Sequence, residues 1–366
     1  MLPAVKTSRF SLADVVPNCL DALRGRRGRL GLPEVSHAVL VLCDGLGRTA
    51  LEAHRGHART LASRLEHDPA ISAGFPTTTA AALATFTTGQ PPGRHGMVGY
   101  RALDPDRDTL VAQLTLEGVD PATWQRIPTL FESGGIRTLV IASPRHSASP
   151  LTRAVLRGAE YRGGASLADR FALARAALDE NGPLLVYLYI ADLDVQGHAQ
   201  GIDSARWTAA LEAVDAAVSG LAAELGPAQG MLVTADHGMV DVPEGAQRIV
   251  APALLAGVKH VAGEPRCLQL HLRPDADPDA VADLWRQSEG ARAWVATRDE
   301  AIAAGWFGEV DDAVRPRIGD VLVAARKRYA YYVDPADPAR RMIGQHGSLT
   351  PDETQVPLLR FGAFSR

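Results

Sequence analysis

The run HAVLVLCDG, His37–Gly45, decides the fold. It is short, apolar without interruption, and closes on Asp-Gly. A run that does not alternate reads as a strand covered on both faces, as in a parallel sheet. Three more runs share this form: IRTLVIAS (Ile136–Ser143), LLVYLYIAD (Leu184–Asp192) and GMLVTADHG (Gly230–Gly238). Helical patterns separate them, over Thr49–Leu65, Ala80–Thr88, Leu167–Asp179 and Ser204–Leu225. In the last of these, Trp207, Leu211, Val214, Val218 and Leu221 recur at helical spacing. Alternating strands and helices predict an α/β fold, a doubly wound and mostly parallel sheet with helices on both faces.

From about Ile249 to Val333 the texture changes. CLQLHLR (Cys267–Arg273) alternates like a half-exposed strand, PDAVADLWRQS (Pro278–Ser288) reads as a helix, and ARAWVATRDEAIAAG follows as strand and helix. This predicts a small inserted α+β cap lobe at 249–333, with 1–248 and 334–366 forming the catalytic core. The cap carries no dense cluster of ligand-type residues.

Composition narrows the function classes. The chain has 366 residues, 46% of them hydrophobic, and a formal charge of −4, so nothing resembles a basic footprint for nucleic acid or anionic membrane. Cys19, Cys43 and Cys267 are too few for a disulfide framework and wrongly spaced for a thiolate metal site. MLPAVKTSRFSLADVV lacks a charged segment followed by a continuous apolar one, and no apolar run reaches the roughly 18 residues of a membrane span. The expectation is a cytoplasmic protein without membrane contact.

Three of the strands end in acid: Asp44, Asp192 with Asp194, and Asp236. Ligands of such sheets bind outside the carboxyl ends of the strands. Acidic ends at one edge make a pocket whose self-repulsion requires cations. Asp194 and His198 stand one helical turn apart, Asp236 and His237 are adjacent, and His346 lies between glycines. Mixed Asp and His donors suit zinc better than magnesium, with manganese and iron as alternatives.

GFPTTTAAALATFTTGQPPGRHG, Gly74–Gly96, supplies the remaining chemistry. Clustered threonines followed by helix formers, a glycine stop and then prolines predict a short helix with Thr79 at its N-cap. Unpaired N–H groups at such a start favour a phosphate-like anion.

In their order, VLCDGLG, FPTTTAAALATFTTGQPPGRHG, YIADLDVQGHAQG, VTADHGM and IGQHGSLTPDE resemble the alkaline phosphatase superfamily, in particular its type I phosphodiesterase/nucleotide pyrophosphatase branch. The resemblance spans roughly Val41 to Glu353. It implies an alkaline phosphatase-like core with two divalent metal ions ~4 Å apart. Asp44, Thr79, Asp236 and His237 would surround one ion, and Asp194, His198 and His346 would hold the other. It further implies Thr79 as the nucleophile, with Thr78 the fallback, and hydrolysis of a phosphodiester or pyrophosphate bond through a phospho-threonine. Asp192 would support the ligands or simply cap the strand end, rather than join them. The expected substrate is a small phosphate ester or nucleotide-like molecule. Ala80 departs from the aromatic residue that nucleotide-cleaving relatives often have there, while Phe75, Tyr100 and Tyr189 are alternative stacking faces whose commoner role is packing. A phosphomonoesterase or phosphonate hydrolase of the same superfamily is the alternative, and a non-catalytic metal- or phosphate-binding protein is the alternative of another class.

Overall fold

A computed structural model describes residues 2–3, 8–133 and 135–365. Of the amino-terminal stretch read for a targeting signal, residues 1 and 4–7 lie outside the described residues. Its centre is a seven-stranded sheet in the order Ala70–Ser72, Gln355–Gly362, Gln229–Thr234, His37–Cys43, Leu184–Ile190, Arg137–Ala142 and Glu160–Gly163. Every pairing is parallel except the two made by Gln355–Gly362, which runs against its neighbours. His37–Cys43 is buried at every position, as its unbroken apolar pattern requires.

Two groups of helices pack around this sheet. One contains Val15–Leu23, Thr79–Thr88 and Pro150–Val155, and the other contains Arg59–Ala62, Leu167–Ala177 and Ala205–Glu224. Ala205–Glu224 buries the five residues singled out by their spacing. The helix expected over Thr49–Leu65 is two, Arg48–Ala53 and Arg59–Ala62, because the chain turns through His54–His57 and restarts. Asp215 from the neighbouring long helix accepts the free N–H groups of Thr60 and Leu61 at 3.2 and 2.8 Å, which anchors the second start.

A four-stranded antiparallel sheet, ordered Val258–Glu264, Cys267–Leu272, Val321–Ala325 and Ala293–Thr297, carries the helix Pro278–Glu289. Leu268, Leu270, Trp285 and Val323 build its own core. The segments entering and leaving it, Gln247–Ile249 and Ala330–Tyr332, pair in parallel. Cys267–Leu272 is buried on both faces, not half exposed. Gln269 turns inward and is satisfied: it donates to the Val98 carbonyl at 2.6 Å and accepts from Gly319 N–H at 3.0 Å. Alternation there records two different buried environments, one apolar and one hydrogen-bonding. All three cysteines are free and buried, and no described helix is long and apolar enough to cross a membrane.

Candidate metal centre

The register of the central strands sets the site. Leu42 pairs with Tyr189 on one side and Thr234 on the other, so the chain leaves all three strands at one edge and delivers Asp44, Asp194 and Asp236 there. The helix Asp192–Gln200 starts directly after its strand and presents Asp194 and His198 one turn apart, with the His198 Nε2 3.3 Å from Asp194 Oδ1. His237 follows Asp236 off the next strand, its Nε2 3.5 Å from Asp44 Oδ1 and 3.6 Å from Asp236 Oδ2. His346 arrives from the loop after Gly344–Gln345 and stacks on His237 with ring centroids 3.7 Å apart.

The hydrogen bonds fix which histidine nitrogen is free. Nδ1 of His198 donates to the Gly344 carbonyl at 2.7 Å, that of His346 to the Thr77 carbonyl at 2.7 Å, and that of His237 to the Gly238 carbonyl at 3.1 Å. Each Nε2 is therefore left with a lone pair turned to the same cleft, the arrangement by which metal-binding imidazoles are oriented. Asp44 Oδ1, Asp194 Oδ1 and Asp236 Oδ2 are buried there without a hydrogen-bond partner. Buried polar atoms of this kind normally find one.

Electrostatics sharpen the demand. Burial pushes the Asp194 carboxyl up to about 7, and the neighbouring Asp44 adds to the rise. Burial and the charge of Asp236 likewise hold Asp44 well above the ordinary carboxylate range. Burial pushes His237 down to about 4 and His346 well below the usual imidazole value, His237 and His198 adding to the effect at His346. Such a cleft resists ionised carboxylates and protonated imidazoles alike. A divalent cation meets both groups at once, since it binds carboxylate and neutral imidazole together. Asp194, His198 and His346 form one set of converging donor atoms, and Asp44, Asp194 and His237 a second, each within 4.8 Å. Asp194 thus stands between the two sets. Asp192 is turned away and pairs with Arg170 at 2.9 Å.

The threonines separate by burial. Thr77 is buried and accepts from Gly347 N–H at 3.0 Å while donating to the Ser348 carbonyl at 2.8 Å. Thr78, also buried, is the N-cap of the helix Thr79–Thr88 and makes no side-chain cap bond. The expected cap at Thr79 is therefore displaced by one residue, and Thr79 opens the helix itself. Its Oγ1 lies 3.3 Å from His237 Nε2, and Thr79, Asp44 and Asp194 line one end of a cavity of about 370 Å³. The helix ends at Gly89 in the left-handed conformation with φ 67°, as the glycine stop requires.

Two supporting contacts were invisible in the sequence. The Tyr189 hydroxyl donates to Asp44 Oδ2 and fixes that carboxylate. Arg266 forks onto Glu353 at 3.0 and 2.6 Å, both side chains fully buried, and Glu353 also accepts the Ser348 N–H at 2.9 Å. That pair ties the four-stranded sheet to the loop holding His346. Neither partner's role is readable from local pattern, since the pairs join residues 145 and 87 positions apart. Phe75 is packed edge-on against Trp306 and Phe307, Tyr100 is exposed, and Arg94 is bound to Glu309 and Asp311.

Known structures share this architecture at low identity. Murine ectonucleotide pyrophosphatase/phosphodiesterase 5, an inactive variant in complex with AMP, superposes with a TM-score of 0.68 at 16% identity over 89% of this chain and 88% of that one. Phosphonoacetate hydrolase from Sinorhizobium meliloti 1021, in complex with phosphonoacetate, gives 0.70 at 19% identity over 90% and 91%. Both likenesses show the fold. A search of curated protein sequences returns no match. The profile of the type I phosphodiesterase / nucleotide pyrophosphatase family matches residues 38–349, nearly the whole of the strand edge and loops just described. The chain belongs to that family of phosphoric-ester hydrolases, within the alkaline phosphatase superfamily.

Proposed function

We propose that the protein hydrolyses phosphodiester or pyrophosphate bonds of small molecules, with Thr79 as the nucleophile and two divalent cations in the cleft. The observation carrying this reading is the Thr79 hydroxyl, partly exposed to the cavity and 3.3 Å from His237 Nε2, beside three orphaned carboxylate oxygens. Asp44, Asp236, His237 and Thr79 itself would hold one cation, and Asp194, His198 and His346 the other. The nitrogen donors favour zinc, with manganese or iron as alternatives. Bound there, divalent cations supply Lewis acidity that lowers the cost of the threonine alkoxide and of negative charge on the phosphoryl group.

The chain's own groups do the rest. Thr79 Oγ1 lies 3.3 Å from the His237 Nε2 that would hold the cation, so the hydroxyl proton passes to solvent and not to that imidazole. The oxygen attacks phosphorus in line, a Thr79 O–P bond forms, and the bond from phosphorus to the ester oxygen breaks. That oxygen leaves with its electron pair and is protonated from solvent. Water then attacks phospho-Thr79, regenerating the hydroxyl and releasing the phosphoryl product. N–H groups of Ala80 and Ala81, in the first turn of the helix Thr79–Thr88, add hydrogen bonds to the phosphoryl oxygens. In this reading residues 249–333 are the inserted cap lobe of the catalytic core, and the cavity over Thr79 is lined from outside it.

Metal-analysed protein assayed on bis-p-nitrophenyl phosphate and on p-nitrophenyl phosphate tests the reading. Faster turnover of the diester is expected, and Thr79→Ala should abolish it while metal content is retained. A preference for the monoester would move the assignment to phosphomonoesterase. Undiminished hydrolysis by Thr79→Ala would remove Thr79 from the mechanism.

A further inference from the structure

The cavity over Thr79 shares a wall with a second one, and the two differ in chemistry. Beyond Asp44, Thr79 and Asp194, the inner chamber of about 370 Å³ is walled by Leu83, Leu151, Val155, Leu156, Tyr187 and Tyr189. Leu114 and Val195, which stand 37% and 55% exposed, also border it, so apolar surface continues to the rim. Large apolar side chains left in water around a catalytic cleft mark a binding surface. The outer chamber, about 460 Å³, is lined instead by Arg145, Arg206, Ser143, Gln196 and the paired Arg170 and Asp192. His146, Tyr189, Ala191 and Val195 contribute to both chambers.

The charges of the outer chamber do not cancel. Arg170 is committed to Asp192 at 2.9 Å and to the Tyr189 carbonyl at 3.2 Å. The side chains of Arg145 and Arg206 have no hydrogen-bond or ion-pair partner among the described residues. Arg206 is the second residue of the helix Ala205–Glu224, at the positive end of the helix dipole, where a cation is disfavoured. One turn on, the positions that could offer it a carboxylate are Ala209 and Ala210, and both also line the chamber. An exposed cation at an unfavourable helix end, lining the same chamber as a second exposed and unpartnered arginine, is suited to an anion from outside.

We infer that the preferred substrates are phosphoric esters whose organic group has an apolar body ending in a second anionic group, a carboxylate or a phosphate. The inner chamber takes the apolar body and Arg145 with Arg206 takes the distal anion. This inference rests on the reading that phosphorus is attacked at Thr79. Arg145 and Arg206 touch no reacting atom in it; they select the substrate.

Two measurements on the full chain test it. In the first, kcat/KM is compared for benzyl p-nitrophenyl phosphodiesters with and without a 4-carboxylate on the benzyl group, at low and high salt. The carboxylate should raise kcat/KM by about fivefold to tenfold at low salt, mostly through KM, and the advantage should shrink with ionic strength. The double variant Arg145→Ala/Arg206→Ala should erase the advantage and leave the uncharged ester unchanged. Absence of an advantage, or its survival in the double variant, overturns the inference. In the second, 4-carboxybenzyl phosphonate and benzyl phosphonate are titrated calorimetrically into both proteins, which needs no turnover. Tighter binding of the carboxylated ligand by the unsubstituted protein alone supports the subsite even where neither diester is hydrolysed, an outcome that would overturn the catalytic reading instead. Equal binding of the two ligands to both proteins overturns the subsite whatever the turnover shows.

Discussion

Nε2 of His198 and Nε2 of His346 face each other at 3.2 Å, and in the neutral rings neither carries a proton to share. Both Nδ1 atoms already donate to backbone carbonyls, of Gly344 and Thr77 respectively, so the two lone pairs oppose. Asp194 Oδ1, 3.3 and 3.8 Å from them, brings a third electron-rich atom to the same point. With Asp194 ionised and both imidazoles neutral, these three acceptors have no donor among them and repel one another until a cation lies between them.

His346→Ala removes one of these acceptors while leaving Asp44, Asp236 and His237 in place. It should lower the bound metal to about half of that in the unsubstituted protein, since only one of the two proposed sites loses a ligand. Plasma emission analysis of dialysed protein reads this directly. An unchanged metal-to-protein ratio would sink the assignment of His346.

Tyr189→Phe tests the support of the other proposed site. Asp44 is buried, its Oδ1 has no partner, and its Oδ2 is fixed by the Tyr189 hydroxyl. Removing that hydroxyl leaves the carboxylate free to rotate and less well solvated. Outer-shell losses of this kind weaken metal binding about 10- to 100-fold. Competition with a fluorescent zinc chelator should show one of the two sites weakened by that factor. Equal affinity at both sites would mean Tyr189 serves only packing.

Much of this was legible in the chain and some was not, for definite reasons. Continuous apolar runs ending in Asp44, Asp192 and Asp236 revealed a parallel sheet with acid at one edge, because burial on both faces leaves no room for polar alternation. Helical spacing likewise exposed the long helix around Trp207 and Leu211. Choosing among Thr77, Thr78 and Thr79 by local pattern failed by one position at the N-cap, since helix starts are set by tertiary contacts as much as by hydroxyls. Gln269 alternates with leucines as a solvent-facing residue would, yet it faces the Val98 carbonyl. Tyr189 meets Asp44 only through strand register, and Arg266 meets Glu353 only through the return of the chain.

Arg266 and Glu353 should carry a large stability effect. Both are fully buried, and the carboxylate also accepts from Ser348 N–H and the Thr350 hydroxyl. Arg266→Met keeps the volume but strands a buried carboxylate. Breaking a buried pair from one side costs about 3–5 kcal/mol. Urea unfolding of the metal-free variant should show a loss of that size at unchanged m-value. A loss under about 1 kcal/mol, the range of a surface ion pair, would mean the pair is wetter than it looks.

The last expectation concerns pH in chelator-treated protein. Asp194 ionises at about 7 when folded against an ordinary value of 3.8, and Asp44 and Asp236 are raised in the same sense by burial. Between those values the folded chain holds more protons than the unfolded one, so these carboxylates make stability fall as pH rises. His237, lowered from 6.5 to about 4, acts oppositely, because there the unfolded chain holds the extra proton and stability rises with pH across that interval. His346 adds to this opposing effect. Above about pH 6.5 the histidine contribution is complete and only the carboxylates still titrate. Glu264, buried and pushed up to about 8, lowers stability over the same range whether or not metal is bound. The metal-free protein should therefore lose Tm between about pH 6.5 and 8, and lose more than protein reloaded with zinc, whose carboxylates are already ionised against the cation. Parallel melting curves at matched ionic strength measure the difference in slope. Identical slopes with and without zinc would show that these carboxylates do not meet the metal.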